Sequence, residues 1–301
     1  MDRLRTWFTI NLSKVKIYDL TLWKNYLATV GAVSTFVTLI SFFATAQTIF
    51  SNISTAAILF GILLVIIFLY LWWSANHKSS VDLRINNTKV HIAEGDIWEL
   101  FDEEEEKREE LSVIAVNDCY DTIVDNRIIA AKSLHGQYIK RIMTAGKLEQ
   151  LEMRIESDPI LNRGKNRKPI PERECGRKYQ YPVGSVLEFD SYVLAAFTSF
   201  DEKNKAYLTA EDYTSFWLRF WENIDEIYAG RTINIPLIGA GISRFRNGKP
   251  TKQELMEIML WTLKISGFHN TYGDKQINFI IYPSDAEEID FYHIQHNRNF
   301  R

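Results

Sequence analysis

A chain of 301 residues with 35 Lys and Arg against 38 Asp and Glu carries a formal charge of −3, which gives no electrostatic footprint for a nucleic-acid partner. Its mean hydropathy of −0.17 is that of a soluble protein, but the average hides a division. Apolar mass is concentrated before residue 76, and roughly 225 residues of ordinary polarity follow, enough for one sizeable core. Two cysteines, Cys119 and Cys175, make no disulfide framework and suit a reducing compartment, and neither they nor the six scattered histidines have metal-ligand spacing.

The first segment, 1–25, is basic, with Arg3, Arg5, Lys14, Lys16 and Lys24. With Trp7, Phe8 and Ile17 interspersed, it reads either as an interfacial segment or as a plain cytosolic lead-in. Two uncharged runs follow, 26–49 and 53–75. Each is about 23 residues long, enough at ~1.5 Å per residue to cross a ~30 Å hydrocarbon core. The short connector between them contains no Lys or Arg, whereas basic residues flank both outer ends. The positive-inside rule therefore puts both termini in the cytoplasm. Trp23, Tyr26, Tyr70, Trp72 and Trp73 fall at that same interface. A cleavable signal peptide is the rival reading, because Ala44-Thr45-Ala46 resembles a cleavage site. The leader would be long, and a full span would remain after cleavage. Gly31, Ser34, Thr38, Ser41 and Thr45 recur every three or four residues, a small polar face suited to helix packing or to a pore.

Residues 76–81 form a polar link to a soluble part, 82–301. Strands are expected at 81–85 and 89–93 around an Asn86-Asn87 turn, and again at 111–116. The acidic run 102–110 reads as a solvated helix face, 137–155 as one helix, and 162–177 as a basic loop punctuated by Pro and Gly. A buried strand at 192–197 precedes a helix whose apolar face carries Tyr213, Phe216, Trp217, Phe220, Ile224 and Ile227. Another buried strand, 232–238, runs into Gly239-Ala240-Gly241. Thr251 and Glu254 make a capping box that opens a helix through residue 265, and 277–282 is a late strand. Strands alternating with amphipathic helices give an α/β domain of three layers.

Three segments could carry chemistry. Gly239, Ala240 and Gly241 end a buried strand, where backbone N–H groups can approach a phosphate; a plain tight turn accounts for the same glycines. Gly95-Asp96-Ile97 follows a strand, so Asp96 is either a helix N-cap or the acceptor for an exocyclic amine. Val116-Asn117 ends another strand, where Asn117 either makes an Asx turn or bonds ribose hydroxyls. Asp125, Asn126 and then Leu134, His135 and Gly136 follow it. No Ser-His-Asp or Cys-His set stands out, so no catalytic residue, metal ligand or cofactor is assigned.

In order and separation these segments resemble the macro domain, the ADP-ribose-binding module, over roughly 82–295. The resemblance implies a mixed sheet in a three-layer α/β fold, here preceded by the two-helix transmembrane hairpin read from the uncharged runs. It also implies that Asp96 binds the adenine amine, Asn117 the distal ribose, and Gly239, Ala240, Gly241, Ile242 and Ser243 the diphosphate. Ile97, Asp125, Asn126, Leu134, His135, Gly136, Arg244 and Phe245 complete the ligand-binding residues that the resemblance implies. Two departures matter. The family's glycine run near the distal ribose is replaced by Val124-Asp125-Asn126-Arg127-Ile128. Ser243 and Arg244 stand where an aromatic residue and a glycine are frequent. Both weigh against hydrolysis of ADP-ribosyl links and towards an altered ligand, with Asp125 and Arg127 placed to meet a polar substituent on the ribose.

A transmembrane hairpin followed by a divergent macro domain also resembles the membrane effector of type II Thoeris, a bacterial anti-phage system. Asp121-Thr122-Ile123-Val124-Asp125, Ser133-Leu134-His135-Gly136 and Ile235-Pro236-Leu237-Ile238-Gly239 are similar to that group. The resemblance implies a multi-pass inner-membrane sensor of an ADP-ribose-derived nucleotide, a histidine conjugate made by a partner TIR-domain enzyme. On binding, the protein would form a homo-oligomer and breach the bilayer. A tethered ADP-ribosyl hydrolase and a passive ADP-ribose reader are the alternatives.

Overall fold

The structure is a computed structural model that describes residues 14–41, 53–99, 110–163, 167–199, 208–241, 245–246, 248–268 and 276–300. In chain order the elements begin with α1 (Leu20–Ser41), α2 (Ile53–Asn76), β1 (Ser80–Ile85), β2 (Thr88–Glu94), β3 (Glu110–Asn117), α3 (Leu134–Thr144) and α4 (Leu148–Ser157). They continue with β4 (Lys168–Pro169), β5 (Tyr179–Gln180), β6 (Val186–Phe189), β7 (Tyr192–Thr198), α5 (Ala210–Asp225), β8 (Thr232–Pro236), α6 (Lys252–Ile265), β9 (Gln276–Ile281), α7 (Pro283–Ala286) and α8 (Phe291–His296). Two compact units result: Met1–Ser79 with Asp290–His296, and Ser80–Ile289 with Asn297–Arg301.

The larger unit is built on a seven-stranded sheet in the order β1-β2-β9-β8-β3-β7-β6. Its five inner strands are parallel and its two edges antiparallel, a mixed sheet as expected. Alternation assigns each face. Ile114, Val116, Leu194 and Ala196 meet Tyr138, Ile139 and Ile142 of α3 and Leu151 and Ile155 of α4. On the opposite face Phe197 stacks edge-on against Phe216 at 4.9 Å, and Phe279 meets Trp221 of α5 at 6.5 Å. Helices on both faces make three layers. The aromatic stripe of α5 is core: Tyr213, Phe216, Trp217, Phe220 and Trp221 are at most 1% exposed. Each such side chain contributes about 1.5–3 kcal/mol of burial.

Several features differ from the sequence expectation. The single helix 137–155 is two, α3 and α4. The break falls where Ala145 caps α3 and Gly146 takes φ +68°, a helix C-terminus that glycine permits. Strand β6 is an unforeseen edge that pairs with β7, and the basic loop contains the two-residue pairing of β4 with β5. Helix α5 stops at Asp225, before Ile227. Of the acidic run 102–110 only Glu110 is described, and it is a strand residue.

In the smaller unit α1 starts at Leu20, earlier than the uncharged run, because Asp19 Oδ1 accepts from the Thr21 and Leu22 N–H groups. Asn76, at the end of α2, is buried; it accepts from Val15 N–H at 2.9 Å and donates back to Val15 O, while Trp72 Nε1 donates to that same carbonyl. Trp23, Tyr26 and Phe68 cluster at 4.9–5.6 Å. Asn25 Nδ2 donates to the Tyr292 hydroxyl at 2.6 Å, which ties α8 to α1. Among the described residues one helix, Ser54–Asn76, is long and apolar enough to cross a membrane. Its mean hydropathy is 2.6 and none of its most apolar window is buried. The expected first span, 26–49, lies partly outside the described residues. Within α1, Thr38 donates to Ser34 O and Thr35 to Gly31 O, so these hydroxyls bond their own helix. Thr45 is outside the described residues.

Candidate functional site

Parallel strands point the same way, so the carboxyl ends of β2, β9, β8, β3 and β7 lie along one edge of the sheet. Asp96 follows β2, Asn117 ends β3, and Gly239, Ala240 and Gly241 follow β8. That edge is where open α/β sheets bind ligands.

Asp96 caps a short turn. Its Oδ1 accepts from Trp98 N–H at 2.9 Å and its carbonyl from Glu99 N–H. Among the described residues its second oxygen, Oδ2, has no partner. Ile97 and Trp98 anchor the turn in the core, and the Trp98 indole donates to Gln137 and stacks under Arg141 at 4.3 Å. Ile97 therefore positions Asp96 by packing.

Asn117 is an internal organiser. It is 3% exposed; its Oδ1 accepts from the Cys119 and Asp121 N–H groups, and its Nδ2 donates to Asp121 Oδ2. Asp121, fully inside, also receives both guanidinium nitrogens of buried Arg173 at 2.7 and 3.1 Å and the Arg177 N–H at 2.7 Å. Gln180 Nε2 donates to Asp118 next door. Burial pushes the Cys119 thiol well up, helped by Asp118, which makes it a poor nucleophile.

His135 and Gly136 sit under this loop. His135 Nε2 lies 3.0 Å from Asp121 O, an atom that can only accept, so Nε2 carries the proton of the neutral ring. Burial lowers its pKa to about 4. Ser133 caps α3 by accepting from Gly136 N–H, and Leu134 packs on the core. A Cβ on Gly136 would fall 2.3 Å from Ala130 O, so the helix start and the 130–131 backbone touch only because the residue is glycine. Gly136→Ala is expected to cost at least the ~1–3 kcal/mol of overpacking, read as a lower thermal midpoint; an unchanged midpoint would show that this loop gives way freely.

Asp125 and Asn126 do turn work. Asp125 accepts from the Ile128 and Arg127 N–H groups, which hold its carboxyl below the usual range. Asn126 takes φ +62° and accepts from Ala131 N–H. Arg127 pairs with exposed Glu174 at 2.8 Å.

The loop after β8 is held from beneath. The buried Tyr213 hydroxyl donates to Ile238 O at 2.8 Å. Gly239 takes φ +90°, and a Cβ there would meet the Tyr213 ring at 3.1 Å. Ala240 is buried, whereas Gly241 is exposed and, among the described residues, nothing lies within 4 Å of where its Cβ would be. Phe245 lies 6.2 Å from the Tyr213 ring and bridges to Leu208. Ile242, Ser243 and Arg244 lie outside the described residues. Sequence reasoning quoted Asp121 in a motif and Tyr213 on a core face without giving either a role at this edge, and it missed Arg173 and Lys249, of which Lys249, between the glycines and the capping box, carried a local signal.

Residues 90–282 match the family model described as "Thoeris protein ThsA, Macro domain". The chain is 34% identical over 241 residues to the Thoeris protein ThsA of Bacillus amyloliquefaciens (strain Y2), covering 79% of this chain and 77% of that one. Among solved structures, an Oceanobacillus iheyensis macrodomain variant with ADPR aligns at 15% identity and a TM-score of 0.39, over 72% of this chain and 96% of its own. A second variant of that macrodomain aligns at 16% identity and 0.38, with the same coverage of both chains. The extent of the family match and the identity to the Bacillus protein place the chain in one group: it belongs to the Thoeris ThsA macro-domain family.

Proposed function

We propose that the protein is an anti-phage sensor whose macro domain binds an ADP-ribose-derived signal of the histidine-ADP-ribose kind, made by a TIR-domain partner. Binding assembles protomers, and the N-terminal helices of the assembly breach the bacterial inner membrane, with both chain ends cytoplasmic. The observation that carries this reading is the shared strand edge. Along it, in sheet order, come Asp96 after β2, with an oxygen that has no partner among the described residues, then the Gly241 backbone after β8 and the Asn117 loop after β3; that sequence supports assigning them to adenine, diphosphate and distal ribose. The exposed apolar side chains of α2, including Ile58, Ile62, Val65, Ile66 and Leu69, lie on a helix long and apolar enough to cross a membrane, which supports a bilayer as their partner. Binding without turnover is favoured over hydrolysis, because Cys119 is held protonated and buried His135 is committed to a backbone carbonyl. For the ligand to act, it must bind the assembled state more tightly than the resting one.

The test is calorimetry of the detergent-solubilised chain with ADP-ribose and histidine-ADP-ribose, followed by sizing of the complex. Asp96→Asn is the informative variant. It keeps the oxygen that caps Trp98 but presents an amide N–H where the free carboxylate oxygen stood, so an exocyclic amine meets a donor. Affinity is expected to fall by about 1–3 kcal/mol, with the fold intact. Equal affinity in Asp96→Asn would remove adenine from this end of the edge. Asn117→Ala is a poorer probe, since it also strips hydrogen bonds from buried Asp121.

A further inference from the structure

Lys249 reaches back over eight residues to the loop after β8, where its Nζ donates to the carbonyl of Ala240 and, at 2.8 Å, to that of Gly241. It is presented from a braced limb. On one side Phe245 packs on Tyr213 and the Arg246 N–H donates to Leu208 O. On the other, the Thr251 capping box starts α6, with the Thr251 hydroxyl accepting from Glu254 N–H and Glu254 accepting from Thr251 N–H. Among the described residues no carboxylate pairs with Lys249. The segment from 241 to 252 holds Arg244, Arg246, Lys249 and Lys252 and no acidic residue.

Two consequences follow from the bonding. Across a planar trans peptide the carbonyl and the N–H point in opposite directions. With the Ala240 carbonyl turned to Lys249, the Gly241 N–H is turned away from it, and among the described residues nothing lies within 4 Å of where a Gly241 Cβ would be. Lys249 also has three N–H donors and, among the described residues, spends two of them on carbonyls, which leaves one donor beside the loop.

We propose that Lys249 is the residue that fixes the diphosphate loop and selects a doubly anionic ligand. It sets the peptide planes so that N–H groups face the ligand, and it offers its remaining N–H to a diphosphate oxygen. The assignment rests on the reading of this edge as a nucleotide site, and it adds a residue outside the glycine motif.

The test uses the detergent-solubilised full chain, ADP-ribose as probe, and calorimetry across a range of NaCl concentrations. Lys249→Met is expected to weaken ADP-ribose by about tenfold or more, the loss of a charge-assisted hydrogen bond. It should also flatten the rise of Kd with salt, since screening then acts on one charge fewer. Lys249→Arg, which keeps the charge, should recover most of the salt dependence. An unchanged Kd and salt slope in Lys249→Met, with the wild-type chain binding, would overturn the role of Lys249 and leave the site standing. Weaker binding with an unchanged salt slope would also overturn it, because Lys249 would then only hold the backbone. A wild-type chain that does not bind ADP-ribose would overturn both the site and the residue.

Discussion

Replacing Arg173 by Met is expected to lower stability by about 3–5 kcal/mol, the cost of leaving one partner of a buried ion pair uncompensated. Arg173 and Asp121 have side chains 1% and 0% exposed, so water cannot take over from the missing guanidinium. The pair is more than a two-body contact. Asp121 also collects Asn117 Nδ2 and the Arg177 N–H, and Arg173 donates to Arg177 O. Removing both charges in Arg173→Met/Asp121→Leu should therefore recover only part of the loss, because Asn117 and Arg177 are left with unmet donors. Guanidinium unfolding followed by near-UV circular dichroism would measure both. A single variant as stable as the wild type would mean that the pair is not buried in solution. The functional corollary is that ligand affinity falls with Arg173→Met even though Arg173 itself is interior, since the 117–122 loop loses its anchor.

A second large effect concerns pH. The folded His135 ring has a pKa lowered to about 4 by burial, which outweighs the neighbouring Asp121 carboxylate, against 6.5 ordinarily. Between those values the unfolded chain binds a proton that the folded chain refuses, so unfolding takes up a proton. The contribution is fully present above 6.5 and is lost as pH falls towards 4. Its size is about 3 kcal/mol. His135→Gln keeps an N–H donor for the Asp121 carbonyl and cannot titrate. The difference in unfolding free energy between pH 7.5 and pH 4.5 is expected to be smaller in that variant by about 2–3 kcal/mol. Identical pH profiles would show that the imidazole reaches water.

The inner strands were legible because buried parallel strands read as apolar runs, as in 111–116 and 232–238, and because alternation marked β1 and β2. The helix break was legible in principle: Gly146 sits where a left-handed C-terminal residue is wanted. Strand β6 was not, since its Glu188 points out to pair with Arg231 and interrupts the run. At the site, Gly95-Asp96, Val116-Asn117 and the glycines after β8 could be placed because they end strands. Their roles were only half visible. Asp96 is both cap and candidate acceptor, and Asn117 spends its amide inside the loop. Arg173 had no local signature at all, because its partner lies 52 residues away in sequence.

Ligand-triggered leakage is the most direct check on the proposed mechanism. The full chain, reconstituted into phosphatidylethanolamine–phosphatidylglycerol vesicles loaded with a self-quenched dye, is titrated with histidine-ADP-ribose beside its Asp96→Asn variant. Dye release that requires the nucleotide, and that the variant shows only at higher ligand concentration, is the predicted result. Release without nucleotide, or bound nucleotide with the vesicles intact, would contradict it.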